Sequence, residues 1–446
     1  MQTEVRPSAE ALGPDASPGL EDSTGRLPNR VRWLLTAGWA MVGVATVLLI
    51  QPGLPSDEPA HWANLLFFSM HHSMPILGHK GIKYEAQQGP VAYVVAALVE
   101  SVVHGVTGST SAAFYAVRLL GGAEIGATAL VAWRLLRRLV PSSVGRIAAI
   151  SYFVLCPMFV AMSWSVQNDS LSLLFVFGAL ELALVRERHG LRASDAALVG
   201  VLVGLGLLTK LTAWPLLIAV PAWLAFRYRR DSVVAIFSFG LSAAVVSGWW
   251  FVRNVFLYRD LLGSTTQGGG PSFPAFGFHG PGTIGHALEE VVTYLWVPTE
   301  YYRDLIKAPV VLKGILVVLT IVIVVLAATT LAKRSREKLR DSISVAGYVE
   351  LESAWLVVGF TAVVAVASWV VLFICSSAIA PRLAYAAIPC WLGLIALGAN
   401  QVSDRLPRRL SPFLPLCVGV TLLALDGWEL VLAHRLPLGV FHIILR

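Results

Sequence analysis

Two adjacent carboxylates and a histidine, Asp57, Glu58 and His61, stand in 51-QPGLPSDEPAHWANLL-66, directly after a long apolar run. A further acid, Asp169, follows Asn168 in 164-WSVQNDSLS-172, and 84-YEAQQGPVAY-93 contributes Tyr84, Glu85 and Gln88. The matching cations are isolated in apolar surroundings: Lys210 in 208-LTKLTAWP-215, Arg253 in 249-WWFVRN-254 and Arg382 in 379-IAPRLAYAAIP-389. Carboxylates facing cations in one layer have a chemical use. The cations can hold a phosphate, and an acid can take the proton from an incoming hydroxyl. Pro59 suits the first turn of a short helix, with Asp57 and Glu58 at its positive end and His61 one turn on from Asp57. Taken singly, each charge also fits a plainer role, capping a helix or snorkelling from the end of a span.

Their gathering depends on the elements that carry them. The chain has 446 residues, 56% hydrophobic and only 14% charged, and apolar runs recur along almost its whole length. Runs of roughly 20 residues are what a helix needs to cross a bilayer, so the composition predicts an all-α polytopic membrane protein and excludes a soluble one. The polar segment 1–31, rich in Pro, Gly and Ser, reads as a disordered cytoplasmic tail. The four cysteines, Cys156, Cys375, Cys390 and Cys417, fall in apolar runs without CxxC spacing and read as packing residues.

The net charge of +7 is a topology signal, and no nucleic-acid partner is expected. Its arginines and lysines cluster at 26–32, 134–146, 186–192, 227–230, 333–340 and 405–409, short stretches that belong on the cytoplasmic side. Eleven spans satisfy them: 33–50, 112–133, 147–164, 168–185, 195–209, 211–226, 232–252, 309–331, 353–375, 382–400 and 411–432. A twelfth at 88–106 would invert every later cluster. That stretch therefore reads as a juxtamembrane helix within a first outer loop, 51–111. The path puts all the candidate residues on the extracytoplasmic side, together with a long loop, 253–308. Its 262-LGSTTQGGGPSFPAFGFHGPG-282 reads as a flap over a cleft; the strand and helix of a nucleotide fingerprint do not flank it. The domain division that follows is a tail, a catalytic membrane module over 32–252, the flap loop, and C-terminal spans over 309–446.

At these residues the sequence resembles the GT-C superfamily of membrane glycosyltransferases, in particular the protein O-mannosyltransferases and the lipid A aminoarabinose transferase. The pieces that carry the likeness are 57-DEPAHW-62, 84-YEAQQGPVAY-93, 167-QNDSL-171, 209-TKLTAWP-215, 249-WWFVRN-254 and 382-RLAYAAIP-389, in family order between about 33 and 400. The resemblance implies a GT-C-type bundle of about 11 transmembrane helices with juxtamembrane helices in the first outer loop. It also implies a polyprenyl-phosphate sugar as donor. By the same likeness the first-loop acid falls on Asp57, the second-loop acid on Asp169, and the lysine facing the lipid phosphate on Lys210. A metal-binding glutamate of the aminoarabinose transferase falls on Glu85, with His279 as the candidate for its histidine partner.

The expectation is an inverting glycosyltransferase at the outer face of the cytoplasmic membrane, moving a sugar, mannose in the likeness, to an acceptor hydroxyl. Asp57 is the expected general base, Asp169 positions the acceptor or the partner of Asp57, and Glu58 is the remaining catalytic candidate. Lys210, Arg253 and Arg382 are expected on the donor phosphate; His61, Tyr84, Glu85, Gln88 and Asn168 are expected on the substrates. No metal is required, because the lipid phosphate is already a good leaving group; the histidines His61, His71, His72 and His79 are where a divalent ion would bind. The acceptor stays open between a glycan, a protein and a peptide natural product. Two other classes use the same residues differently: a membrane transporter, with its site at mid-membrane on broken helices, and a non-catalytic polyprenyl-phosphate-binding protein.

Overall fold

The computed structural model describes residues 29–434 apart from 55–56, 80–81, 83–84, 189, 264–284, 286–288, 290, 299–308, 341–344, 377–380 and 408. The tail, Tyr84, most of the flap loop and His279 lie outside the described residues. Among the described residues every regular element is helical. In chain order they are α1 (Asn29–Leu49), α2 (Glu58–His71), α3 (Val91–Thr107), α4 (Thr110–Leu139), α5 (Ser143–Leu155), α6 (Pro157–Ser163) and α7 (Asp169–Glu187). There follow α8 (Ala193–Leu207), α9 (Leu216–Tyr228), α10 (Val233–Tyr258), α11 (Val310–Arg340), α12 (Val345–Ser376), α13 (Ile388–Arg405) and α14 (Leu414–His434).

Among the described residues, seven stretches are long and apolar enough to cross a membrane, or eight if the bent pair α5–α6 is one span. The eleven expected spans each coincide with helix, but 211–226 and 232–252 fall together in one of these stretches, Leu211–Tyr258, and two others fall short of that measure. Helix α8 has only fifteen residues, and α7 carries Asp169, Glu181, Arg186 and Glu187. The expected span 147–164 is broken by 51° at Pro157, whose ring removes a backbone donor and closes the first helix there. Helix α3, at seventeen residues, packs between α2 and α4, as a juxtamembrane helix of the first loop would. The chain reverses between α3 and α4 in two residues. Gly108, at φ +65°, ends α3, and the Ser109 hydroxyl accepts from the Ala112 N–H at 3.2 Å to start α4.

Cross-helix contacts sort the loops onto two ends. At one end Arg118 of α4 reaches Glu58, Asn168 reaches Gln88, and Asn254 of α10 reaches the Gln87 carbonyl. At the other end Arg138 of α4 holds Glu181 of α7 at 2.9 Å, and Arg227 of α9 holds Glu187 at 2.9 Å. Read from these ends, α4, α7 and α9 run from the first end to the second, and α10 runs back. The core runs through α4, α5, α7, α8 and α13, and close approaches are bought with glycine: a Cβ on Gly43 or Gly122 would lie 2.0 or 2.5 Å from the Trp164 ring.

Candidate active site

Asp57 occupies the N-cap position of α2, yet its side chain makes no capping hydrogen bond. Its carboxylate instead pairs with the guanidinium of Arg382, which is carried by a 3-10 turn, Pro381–Ala387, before α13. Burial alone would raise the Asp57 carboxyl. The positive charge of Arg382, with that of Lys210 behind it, outweighs burial and holds the group below the usual carboxylate range. The plain capping role is therefore not what this side chain does.

His61, one turn into α2, is buried, and its Nδ1 shares a hydrogen bond with the Tyr93 hydroxyl at 2.8 Å. Burial pushes its pKa down to about 4, against the pull of Asp57, so the ring is neutral near pH 7. The charges acting on it come from Asp57, Lys210, Asp169 and Arg382, which places all five groups in one electrostatic neighbourhood.

The second ion pair joins Asp169 and Lys210, Oδ1 to Nζ at 2.6 Å, with both residues buried. Asp169 opens α7, and Lys210 stands in extended backbone between α8 and a 3-10 turn. The segment 85–90 docks against this hairpin. Val91 N–H donates to the Leu208 carbonyl at 3.0 Å, and a Cβ on Gly89 would lie 2.0 Å from the same oxygen. Only glycine permits that approach. It lets a chain of amides form: Asn168 donates to Gln88 and to the Thr209 carbonyl, and Gln88 donates to the Glu85 carboxylate. Glu85 is buried and left-handed at φ +67°, a conformation that marks a constrained position. Asn168, Gln88 and Glu85 thus form one chain tied to the Thr209 carbonyl, next to Lys210 in sequence.

Glu58 is placed differently from its expected catalytic role. It is 1% exposed, and both oxygens are saturated by donors. Oε1 accepts from Arg118 Nε and from Val166 N–H, each at 2.8 Å; Oε2 accepts from Arg118 Nη2 at 2.6 Å and from Gly53 N–H at 2.7 Å. Arg118, fully buried, also donates to the carbonyls of Val47, Ile50 and Gln51 at 3.4, 2.8 and 3.3 Å, where α1 ends. A carboxylate so filled holds loops and has no lone pair left for an acceptor proton. The pair ties together the end of α1, the start of α2 and the loop before Asp169. Sequence reasoning missed Arg118, although a lone arginine within an apolar run is the signal that finds it.

Arg253 is also engaged elsewhere. Its Nη2 donates to the Pro75 carbonyl at 2.7 Å and its guanidinium lies 4.3 Å from the Trp250 ring centre. Nη1 is buried without a hydrogen bond, which keeps one donor for an anion. The histidines disperse: His71 stacks on Phe67 at 4.4 Å, His72 caps α2 at φ +48°, and His61 is held by Tyr93. Among the described residues no group of three or more His, Cys, Asp or Glu could hold a metal ion. Glu85 carries Gln88 on its carboxylate, and its expected partner His279 lies outside the described residues.

Comparison with known proteins follows the same layer. A family model described as dolichyl-phosphate-mannose-protein mannosyltransferase matches residues 88–250, less than half of the chain. That span includes Gln88, Asn168, Asp169 and Lys210 but neither Asp57 nor Arg382. No curated protein sequence matches. The structure is similar to that of ArnT from Cupriavidus metallidurans bound to undecaprenyl phosphate: 13% identity, TM-score 0.52, over 93% of this chain and 74% of that one. It is also similar to the Archaeoglobus fulgidus oligosaccharyltransferase in its apo form: 14% identity, TM-score 0.50, over 90% of this chain and 56% of that one. The chain thus spans just over half the length of the archaeal enzyme.

Proposed function

We propose that this chain, a membrane protein of the GT-C glycosyltransferase fold, is an inverting transferase that moves a sugar from a polyprenyl phosphate to an acceptor hydroxyl. The observation that carries the reading is the pairing of Asp57 with Arg382 and of Asp169 with Lys210 around neutral His61. Buried charges persist only when paired, so without substrate the acids neutralise the cations. A donor phosphate is the ligand that reorganises this set: it takes Lys210 and Arg382 as its counter-ions and frees the Asp57 carboxylate. Support for a polyprenyl carrier comes from ArnT, whose structure holds undecaprenyl phosphate, and from the mannosyltransferase family match.

In this mechanism the acceptor oxygen attacks the anomeric carbon while the bond from that carbon to the phosphate oxygen breaks. The acceptor proton passes to the Asp57 carboxylate, and the electron pair of the broken bond leaves on the lipid phosphate. Lys210 and Arg382 stabilise the growing phosphate charge, with Arg253 Nη1 as a further donor from α10. Asp169 keeps Lys210 oriented, and the Asn168–Gln88–Glu85 chain fixes the wall against which the sugar lies. The low pKa of Asp57 suits a base that accepts its proton late, as the attacking oxygen becomes acidic. Positive clusters at the opposite end of the helices support an extracytoplasmic site.

Incubating the purified protein with labelled polyprenyl-phosphate sugars and a membrane fraction as acceptor source tests the reading. Release of polyprenyl phosphate coupled to a labelled acceptor is expected for a transferase. Binding of the donor without release would make the protein a lipid-binding one, and movement of intact donor across a vesicle membrane would make it a transporter.

A further inference from the structure

Helix α1 ends at the site layer, where Arg118 takes its last carbonyls. Trp428, Leu430 and Leu432 of α14 pack there on the cluster of Ile50, Leu54 and Ala161. Both helices therefore begin at the opposite end of the bundle, and α5 begins there too, shortly after Arg138. In that half the three helices leave a groove of about 340 Å³ between them. Val31 and Gly38 of α1, Leu155 of α5 and Gly419 of α14 are among its walls, with Pro412 and Phe413 at the end nearest the helix starts.

The groove is open because two wall positions lack a side chain. A Cβ on Gly38 would lie 3.5 Å from Leu155 Cδ2, and one on Gly419 would lie 3.6 Å from Leu155 Cδ1. Ser151 supplies the only hydroxyl among the described wall residues, and it donates to the Ile147 carbonyl at 2.9 Å. Nothing polar there calls for water, so the recess suits a hydrocarbon chain. From Val31 to Gly38 and from Pro412 to Leu423 the walls run about 10 and 16 Å, at 1.5 Å per residue. That is close to the depth of one leaflet, about 15 Å. Cations stand at its end. Arg30 and Arg32 flank Val31, and Arg409 precedes Pro412 by three residues; all three are exposed. Among the described residues none of them forms an ion pair. Arg32 lies 5.9 Å from the ring centre of exposed Trp33, a residue type that marks the headgroup level. Arginines at this end also serve topology, but topology asks only for charge in the loops. It does not place charge from two elements at the mouth of a recess one leaflet deep.

We propose that this groove holds one acyl chain of an anionic glycerophospholipid, with the lipid phosphate at Arg30, Arg32 and Arg409. The site lies in the leaflet opposite the transfer site and does not depend on the function proposed above. The apolar walls accept any chain, and the cations select an acidic headgroup.

The test uses the full-length protein, delipidated in detergent and titrated with dioleoylphosphatidylglycerol or dioleoylphosphatidylcholine. Bound lipid is counted by native mass spectrometry, and the thermal midpoint is measured alongside. One phosphatidylglycerol is expected to bind tightly and raise the midpoint, with phosphatidylcholine at least about thirtyfold weaker. Arg30→Gln with Arg32→Gln should weaken phosphatidylglycerol about thirtyfold, the usual worth of two basic residues at an anionic surface, and leave phosphatidylcholine unchanged. Arg229→Gln with Arg230→Gln takes the same charge from the turn between α9 and α10, which lines no part of the groove, and should leave both lipids unchanged. Gly38→Leu with Gly419→Leu fills the groove and should abolish the tight site. Val420→Phe, at a wall position 57% exposed, fills it from the lipid side should the glycine pair not fold. Equal affinity for the two lipids, an equal loss in both arginine pairs, or a tight site surviving in a folded groove-filling variant overturns the proposal. Two other occupants would overturn it as well. Protease protection of residues 1–28 that filling removes would place the chain's own N-terminal segment in the groove, and dimers that filling dissociates would place a second copy there.

Discussion

Replacing Glu58 by Gln removes one charge from a pair that has no access to water. Each Glu58 oxygen accepts two hydrogen bonds, one from Arg118 and one from a backbone N–H. An amide has a single acceptor oxygen, so whichever way it turns its NH2 group faces two donors. Two of four bonds are lost, and Arg118, 0% exposed, keeps a positive charge with no counter-ion. Breaking a buried pair in this way costs about 3–5 kcal/mol, because the surviving charge stays desolvated. Glu58→Gln should therefore lower the thermal midpoint in detergent markedly, and turnover should fall with it, since the loops carrying Asp57 and Asp169 hang from this pair. Asp57→Asn, next in sequence, should melt close to the wild type, because its neighbour Arg382 stays partly solvated. Scanning fluorimetry on the three proteins compares them directly. A Glu58→Gln protein with an unchanged midpoint would refute the buried lock, and a folded one with a specific loss of turnover would return Glu58 to the chemistry.

Lys210→Ala should weaken donor binding by about 2–3 kcal/mol, the usual cost of deleting one partner of a poorly hydrated charge pair, with Lys210→Arg recovering part of it; unchanged donor affinity would remove Lys210 from the site. Because His61 has a folded pKa of about 4 against 6.5 unfolded, the unfolded chain binds a proton between those values that the folded one does not. Stability should fall as pH drops through that window, by up to about 3 kcal/mol, and be flat above it. His61→Gln should flatten the acid limb of a midpoint-against-pH curve; an equal slope in both proteins would assign it to other groups. Gly89→Ala would put its Cβ 2.0 Å from the Leu208 carbonyl, so the turn must move away from Asn168. Donor turnover should drop more than the midpoint does, and wild-type turnover would mean that the turn has no part in the site.

The helical bundle was legible because apolar length alone decides it: 232–252 was expected and α10 covers Val233–Tyr258. The break of 51° in the span 147–164 escapes a count made by hydropathy, which runs straight through Cys156 and Pro157, although the proline itself is the signal that ends the first helix. Residues whose cost in a membrane is obvious, Asp57, Asp169, Lys210 and Arg382, could be gathered from type and placement, and they meet in two ion pairs. Glu58 could not be told from Asp57 by sequence, because its partner lies 60 residues away on α4. That one of the Arg253 donors is taken by a carbonyl was hidden for the same reason: the carbonyl belongs to Pro75, 178 residues earlier. Adjacent residues of one type acquire different roles from partners that are remote in the chain.

The central claim is that Asp57 takes the acceptor proton while cations hold the leaving phosphate. Its most direct test is single-turnover release of polyprenyl phosphate by Asp57→Asn against the wild type, at matched donor occupancy and with the thermal midpoint measured alongside. Loss of a general base typically costs about 10²–10⁴ in rate. The account predicts a loss of that size in the transfer step, with donor binding and midpoint near the wild-type values. A folded, donor-saturated Asp57→Asn protein that releases polyprenyl phosphate at the wild-type rate would contradict it.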